Sequence, residues 1–256
     1  MINETTIIRY DQEGNRPMED PVIRELRANL MINGELYLSM MCLPQHFEEL
    51  AVGFMFSEGL IKSYGDIKNI DATCTGNIFV FTHEPVVYNK NENRVLVSGC
   101  ANGTVNMAFL NEANLQLLTG DLTYSYDEII NMMVKFSKQS PIFAETGAVH
   151  SAALLFKNGE DIFFEDIGRH NAVDKVVGTA LMRNLPINEG VLLISGRVSS
   201  EIALKTSRLG IPVMISQSAP TSMSVAIAEK VGMTLIGFAR GRRFNVYSGN
   251  SRIRVC

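Results

Sequence analysis

The chain has 256 residues, of which 46% are hydrophobic and 20% charged, with a formal net charge of −4. That apolar fraction supports one large core or two smaller ones and argues against disorder. No apolar run approaches the roughly 18 residues of a membrane-spanning helix, and Met1-Ile2-Asn3-Glu4 lacks the basic, then apolar, start of a secretory leader, so a cytoplasmic protein outside the membrane is expected.

In chain order, Val22 to Ile32 and Glu35 to Cys42 flank Asn33-Gly34, a hairpin signal. Pro44 ends that run. Phe47, Leu50, Ala51, Phe54 and Met55 then recur at helical spacing, and Gly59 stops the helix. Short strands are predicted near Ile67 to Asp71, Asn77 to Thr82 and Arg94 to Val97. The segment Ser98-Gly99-Cys100-Ala101-Asn102-Gly103 is small and polar, hence a loop. Helices are predicted from Asn106 to Leu118 and from Tyr126 to Ser137, the latter ending before Pro141. A boundary between Gly120 and Ser125 divides the chain into a β-rich region with one helix and the Cys100 loop (1–122) and a second unit (123–256).

The second unit alternates strands and helices. Ala152 to Phe156 and Asp161 to Glu165 flank Asn158-Gly159 as a second hairpin. Helices follow at Asn171 to Arg183, Ser199 to Leu209 and Pro220 to Val231, with strands at Val191 to Ser195, Ile211 to Ser216 and Met233 to Phe238. Alternation of this kind predicts parallel pairing in an α/β layer, and the unbroken apolar runs Val191 to Ile194 and Ile211 to Ile215 predict strands buried on both faces.

Three strand-to-helix junctions carry polar residues: Gly168-Arg169-His170, Ser195-Gly196-Arg197 and Ser216-Gln217-Ser218. Arg240-Gly241-Arg242-Arg243 follows the final strand. In an open parallel sheet such junctions gather on one edge, where helix N-termini and arginines accept anions. A phosphorylated or nucleotide-bearing ligand is the expectation, although serine, glycine and proline also serve as plain helix caps. Neither common dinucleotide nor ATP glycine pattern occurs at these turns. From Arg197 onward there are nine basic and two acidic side chains, against 14 and 25 in the remainder, which suggests a local anion site rather than a nucleic-acid wrapper; a solvated basic tail would read the same. Asp174 stands one helical turn after His170, where it could orient the imidazole or form a local ion pair. His150 is ambiguous: a lone histidine beside the apolar run Ala152 to Phe156 is more often a core or supporting residue than a catalyst.

The four cysteines, Cys42, Cys74, Cys100 and Cys256, have irregular spacing without a Cys-x-x-Cys pair, so neither a disulfide framework nor a metal site is expected. Cys42 reads as packing in an apolar strand and Cys74 lies in a turn. Cys100 is the foremost candidate for a reactive thiolate.

The ordered segments Glu165-Asp166-Ile167-Gly168-Arg169-His170-Asn171-Ala172-Val173-Asp174-Lys175, Thr146-Gly147-Ala148-Val149-His150-Ser151, Ser195-Gly196-Arg197-Val198-Ser199-Ser200-Glu201 and Gly237-Phe238-Ala239-Arg240-Gly241-Arg242-Arg243 resemble those of the formate dehydrogenase accessory sulfurtransferase (FdhD) family, as do Glu49-Leu50-Ala51-Val52-Gly53-Phe54 and Ser57-Glu58-Gly59-Leu60-Ile61 upstream. The resemblance spans roughly residues 20 to 250. It implies a cytidine-deaminase-like α/β layer in the C-terminal half with a smaller β-rich N-terminal region, in a homodimer. It further implies that Cys100 takes sulfur from a cysteine desulfurase as a persulfide. The sulfur would pass to the molybdenum (or tungsten) bis-molybdopterin guanine dinucleotide cofactor destined for formate dehydrogenase. Phe238, Ala239, Arg240, Gly241, Arg242 and Arg243 map onto the dinucleotide-binding segment. Where the family's loop has a second cysteine, this chain has Gly103, which excludes a relay between two loop thiols. A cofactor-delivering chaperone that moves no sulfur is therefore the alternative. A thiol hydrolase pairing Cys100 with His150 or His170 is a third reading. The deaminase zinc motifs are absent.

Overall fold

A computed structural model describes residues 1–86, 95–96, 115–120 and 122–254. The chain opens with a hairpin, β1 (Ile2–Asp11) and β2 (Gly14–Ile23), which forms a two-stranded sheet of its own. Next come β3 (Leu26–Ile32) and β4 (Glu35–Cys42), turned by Asn33 and Gly34, both at positive φ as the turn requires. With β5 (Ile67–Ala72), β6 (Asn77–Thr82) and β7 (Val95–Leu96) they complete a five-stranded sheet ordered β5-β6-β3-β4-β7. The strand expected from Val22 is thus split: Val22 and Ile23 end the first hairpin. Of the helix expected over Asn106 to Leu118, residues 106–114 lie outside the described residues, and Leu115 to Leu118 are not helical.

After β8 (Tyr124–Ser125), which pairs in parallel with β15 (Ile253–Arg254) as a two-stranded sheet, the C-terminal half is built on a six-stranded sheet ordered β10-β9-β11-β12-β13-β14, from β9 (His150–Leu155), β10 (Ile162–Asp166), β11 (Val191–Ile194), β12 (Val213–Ser216), β13 (Thr234–Arg240) and β14 (Arg243–Ser248). β11, β12 and β13 pair in parallel, as their alternation with helices predicts, whereas β9, β10 and β14 join antiparallel. The strand at Thr234 is not the last: β13 turns at Gly241 and Arg242 into β14.

Side chains alternate across this sheet. Leu192, Ile194 and Met214 face a core shared with α4 (Arg169–Met182), α5 (Ser200–Arg208) and α6 (Ser222–Val231), whereas Val191, Leu193, Val213 and Ile215 face α2 (Tyr126–Lys138). Burial on both faces is why these strands contain no polar alternation. A short helix, α3 (Pro141–Thr146), follows α2.

Helix α1 (Phe47–Ser57) is apolar nearly all round because it is sandwiched. Its leucine and phenylalanine side chains fill the core of the five-stranded sheet, and its glycine face packs on α4. A Cβ at Gly53 would stand 1.9 Å from the Asp174 carbonyl oxygen, and one at Gly178 the same distance from that of Glu49. Backbone, which cannot swing aside, is the obstacle in both cases. Gly178→Ala should therefore lower stability by about 3 kcal/mol, at the upper end of overpacking costs. Urea denaturation checks this; an unchanged midpoint would mean that the helices can separate freely.

Candidate functional site

The directions of the strands decide what meets at the site. His150 opens β9 opposite Asp166, which closes β10; Ile194 lies beside Ser216, and Arg240 beside Arg243. All the predicted junctions therefore lie along one edge of the sheet, at the carboxyl ends of β10, β11, β12 and β13. The loops are fastened to each other: Ser216 Oγ donates to the Gly196 carbonyl at 2.7 Å, Val198 N–H to Ala219 at 3.1 Å and Phe238 N–H to Ser218 at 3.0 Å.

A cavity of about 650 Å³ opens along this edge, lined in part by His150, Ser195, Gln217, Arg240, Gly241 and Phe143. Gly196 backs it closely: a Cβ there would stand 3.3 Å from both Arg169 Cδ and His150 Nδ1. Four of the expected ligand residues, His150, Ser195, Arg240 and Gly241, thus line one cavity, with Gly196 packed behind both His150 and the Arg169 side chain. Arg197, Arg242 and Arg243 are exposed nearby along the chain. Phe238, 41% exposed and in the left-handed region at φ 51, and buried Ala239 lie within β13, where its pairing with β14 is irregular.

Several donors are unspent. The Arg169 Nε is buried without a hydrogen-bond partner among the described residues. Arg240 gives its Nε–H to the Gln217 carbonyl at 2.6 Å, which fixes the guanidinium and leaves its terminal nitrogens to face an anion. Capping distinguishes the three helices. Ser199 caps α5 and Thr221 caps α6 through their own side chains, while Gly168 gives α4 no side-chain cap. Plain capping accounts for two junctions and leaves the N–H groups at the start of α4 available.

His150 is held neutral. Burial pushes its imidazole below the usual value of 6.5, and the neighbouring Arg169, His170 and Arg197 push in the same direction. Its Nδ1 lies 3.4 Å from Ser195 Oγ, which also accepts the Ser151 N–H at 2.9 Å. Because the folded pKa is depressed, the unfolded chain binds the proton first. Stability should fall as pH drops from about 6.5 through the folded value and change no further from this group below it. An NMR titration of His150 should show a midpoint under 6.5; one at or above 6.5 would contradict this electrostatic picture.

The densest polar cluster is mainly structural. Asp166 lies 2.7 Å from the Lys175 ammonium, both side chains being fully buried, in an ion contact whose geometry falls short of a hydrogen bond. Its carboxylate also accepts from the N–H groups of Leu43 (3.2 Å) and Gly168 (3.1 Å) and from Asn171 Nδ2 (2.9 Å). Asp174 does not orient His170. It accepts from Lys205 Nζ at 2.7 Å and Ser57 Oγ at 2.9 Å, because the buried face of α4 turns toward α1 and α5. His170 instead lies 3.4 Å from Glu201, a contact that keeps the Glu201 carboxyl below the ordinary carboxylate range.

Of the cysteines, Cys42 is buried, and burial, with Asp166 nearby, pushes its thiol up to about 12, so it stays a thiol at neutral pH. Cys74 is exposed. Cys100 and Cys256 lie outside the described residues. Among the described residues no cluster of histidine, cysteine and carboxylate side chains could hold a metal ion, and no helix is long and apolar enough to cross a membrane.

Sequence reasoning missed Phe143. The helix expected to end before Pro141 does so as α2, but the short helix α3, which Pro141 opens in its first turn, is not assigned from the sequence. A serine before proline was the available signal.

The molecule is thus a mixed α/β protein with a cationic, ligand-sized cleft on the carboxyl edge of its larger sheet. The FdhD/NarQ family model matches residues 23–254, and the chain belongs to that family. It is 37% identical over 254 residues to the sulfur carrier protein FdhD of Wolinella succinogenes, covering 96% of this chain and 87% of that one. The sulfur carrier protein FdhD of Listeria innocua is 35% identical, with 99% of each chain covered. The crystal structure of a proposed formate dehydrogenase accessory protein from Desulfotalea psychrophila superimposes with a TM-score of 0.80 at 29% identity, covering 99% of both chains.

Proposed function

We propose that this chain is a sulfur carrier in the maturation of formate dehydrogenase. The thiolate of Cys100 attacks the outer sulfur of a cysteine desulfurase persulfide. The donor's S–S bond breaks, its cysteine leaves as thiolate, and a new S–S bond leaves Cys100 as the persulfide. The sulfur is destined for the bis-guanine-dinucleotide pterin cofactor of molybdenum or tungsten, bound here as a substrate. The observation that carries the reading is the convergence of Arg240, Gly241, Ser195 and His150 on one cavity, in a chain matched over nearly its whole length by proteins named as sulfur carriers.

The chemistry of the cleft suits a diphosphate. Arg240 is braced by Gln217, Arg169 has a buried unpaired N–H, and the α4 N-terminus lacks a side-chain cap. Neutral His150 can donate to, or accept from, a ligand without adding charge. Arg169, Gly168, His170, Gly196 and Arg197 would border the ligand, and Phe238 to Arg243 would supply its far wall.

Titration calorimetry with GDP tests the site. Arg240→Ala should weaken binding about tenfold or more, the loss expected for a charge-assisted hydrogen bond. Undiminished GDP affinity in that variant would remove the cleft from the proposal.

A further inference from the structure

Phe143 lines the cavity yet has no structural task. It is 52% exposed, the most exposed phenylalanine among the described residues, and belongs to none of the three hydrophobic cores. Its backbone, by contrast, is fixed from several sides. The buried carboxylate of Glu165 accepts the Ile142 N–H at 3.0 Å and the Phe143 N–H at 2.9 Å, and Gly147 N–H closes on the Phe143 carbonyl at 2.8 Å. Ser140, just before α3, shares a 2.9 Å hydrogen bond with Ser151 of β9. Two strands of the sheet thus hold in place a short helix that presents a largely bare ring to a ligand cleft. A planar π-face beside the fixed Arg240 suits a planar fused ring that carries an anionic group.

We infer that Phe143 is the stacking platform for the guanine base of the ligand. The inference rests on the proposed dinucleotide reading of the cleft. Guanine and pterin share the fused-ring chemistry, and accessibility separates them. The pterin end carries the metal that sulfur must reach, so it has to stay open, whereas the base across the diphosphate can be clamped. No role is assigned to Phe143 beyond this contact with the ligand.

The chain has no tryptophan, so Phe143→Trp introduces its single indole. GDP should quench that emission saturably, and inorganic pyrophosphate should not. Phe143→Ala should weaken GDP roughly five- to hundredfold, the range for one base–aromatic stack, and leave pyrophosphate affinity unchanged; Phe143→Tyr should restore GDP binding. Equal GDP affinity in wild type and Phe143→Ala overturns the stack while leaving the anion site standing. Parallel loss of GDP and pyrophosphate means a structural role and overturns it too. Quenching by pterin-6-carboxylate but not by GDP overturns the choice of guanine. If wild type binds neither GDP nor pyrophosphate, the dinucleotide reading fails and the stack fails with it.

Discussion

Asp166→Ala should be among the most damaging single substitutions in this chain, lowering stability by about 4–5 kcal/mol, near the top of the range for breaking a buried ion pair. The Asp166 carboxylate is ion-paired with the Lys175 ammonium at 2.7 Å and accepts from donors on Leu43, Gly168 and Asn171. Removing it strands a fully buried cation that has no hydrogen-bond partner among the described residues, and leaves three N–H donors to find others. Leu43 follows β4, so the same carboxylate fastens the five-stranded sheet to the start of α4. Lys175→Met should cost less, about 2–3 kcal/mol, because the carboxylate keeps three donors and methionine fills the space. Urea denaturation of both variants measures the difference. Equal losses would mean that Asp166 acts only through Lys175, and a smaller loss for Asp166→Ala would contradict the hydrogen-bond arrangement.

That pair illustrates what was legible in the residues and what was not. The family-like segment Glu165 to Lys175 includes the densest polar cluster of the chain, Gly168 to Lys175, which suggests chemistry, and the structure divides the segment between two tasks. Gly168 and Arg169 lie at the cleft edge; Glu165 holds the start of α3, and Asp166 and Lys175 neutralise each other inside. Spacing along one helix placed Asp174 near His170, but its partners, Ser57 and Lys205, come from elements distant in sequence, which periodicity cannot reveal. Strands buried on both faces, Val191 to Ile194 above all, were legible because an unbroken β-branched and leucine run has few other places to go. The first hairpin was not: Pro17 and Pro21 interrupt β2, and most of its side chains face water, so no apolar alternation marks it. The edge cluster was legible as glycine–arginine junctions. That His150 joins it depends on β9 running antiparallel to β11, a matter of topology rather than composition.

Cys100→Ala should abolish sulfur loading altogether. The alternatives inside the fold are poor: Cys42 is buried with its thiol pushed up to about 12, too high to supply thiolate at neutral pH. Cys74 is exposed but sits in the turn between β5 and β6, on the sheet that does not carry the cleft. With Gly103 where the family has a second cysteine, no thiol three positions along can rescue the variant by taking up the sulfur. A carrier of this design holds its sulfur as a persulfide on one residue, and that species is visible by mass.

The most direct measurement is intact-protein mass spectrometry after incubation with a cysteine desulfurase and cysteine, comparing wild type with Cys100→Ala. Sulfur carriage predicts that wild type gains one sulfur atom, released by a reducing agent, and that the variant gains none. A wild type that gains no sulfur from a desulfurase active on another acceptor, or a variant that gains as much as wild type, would contradict it.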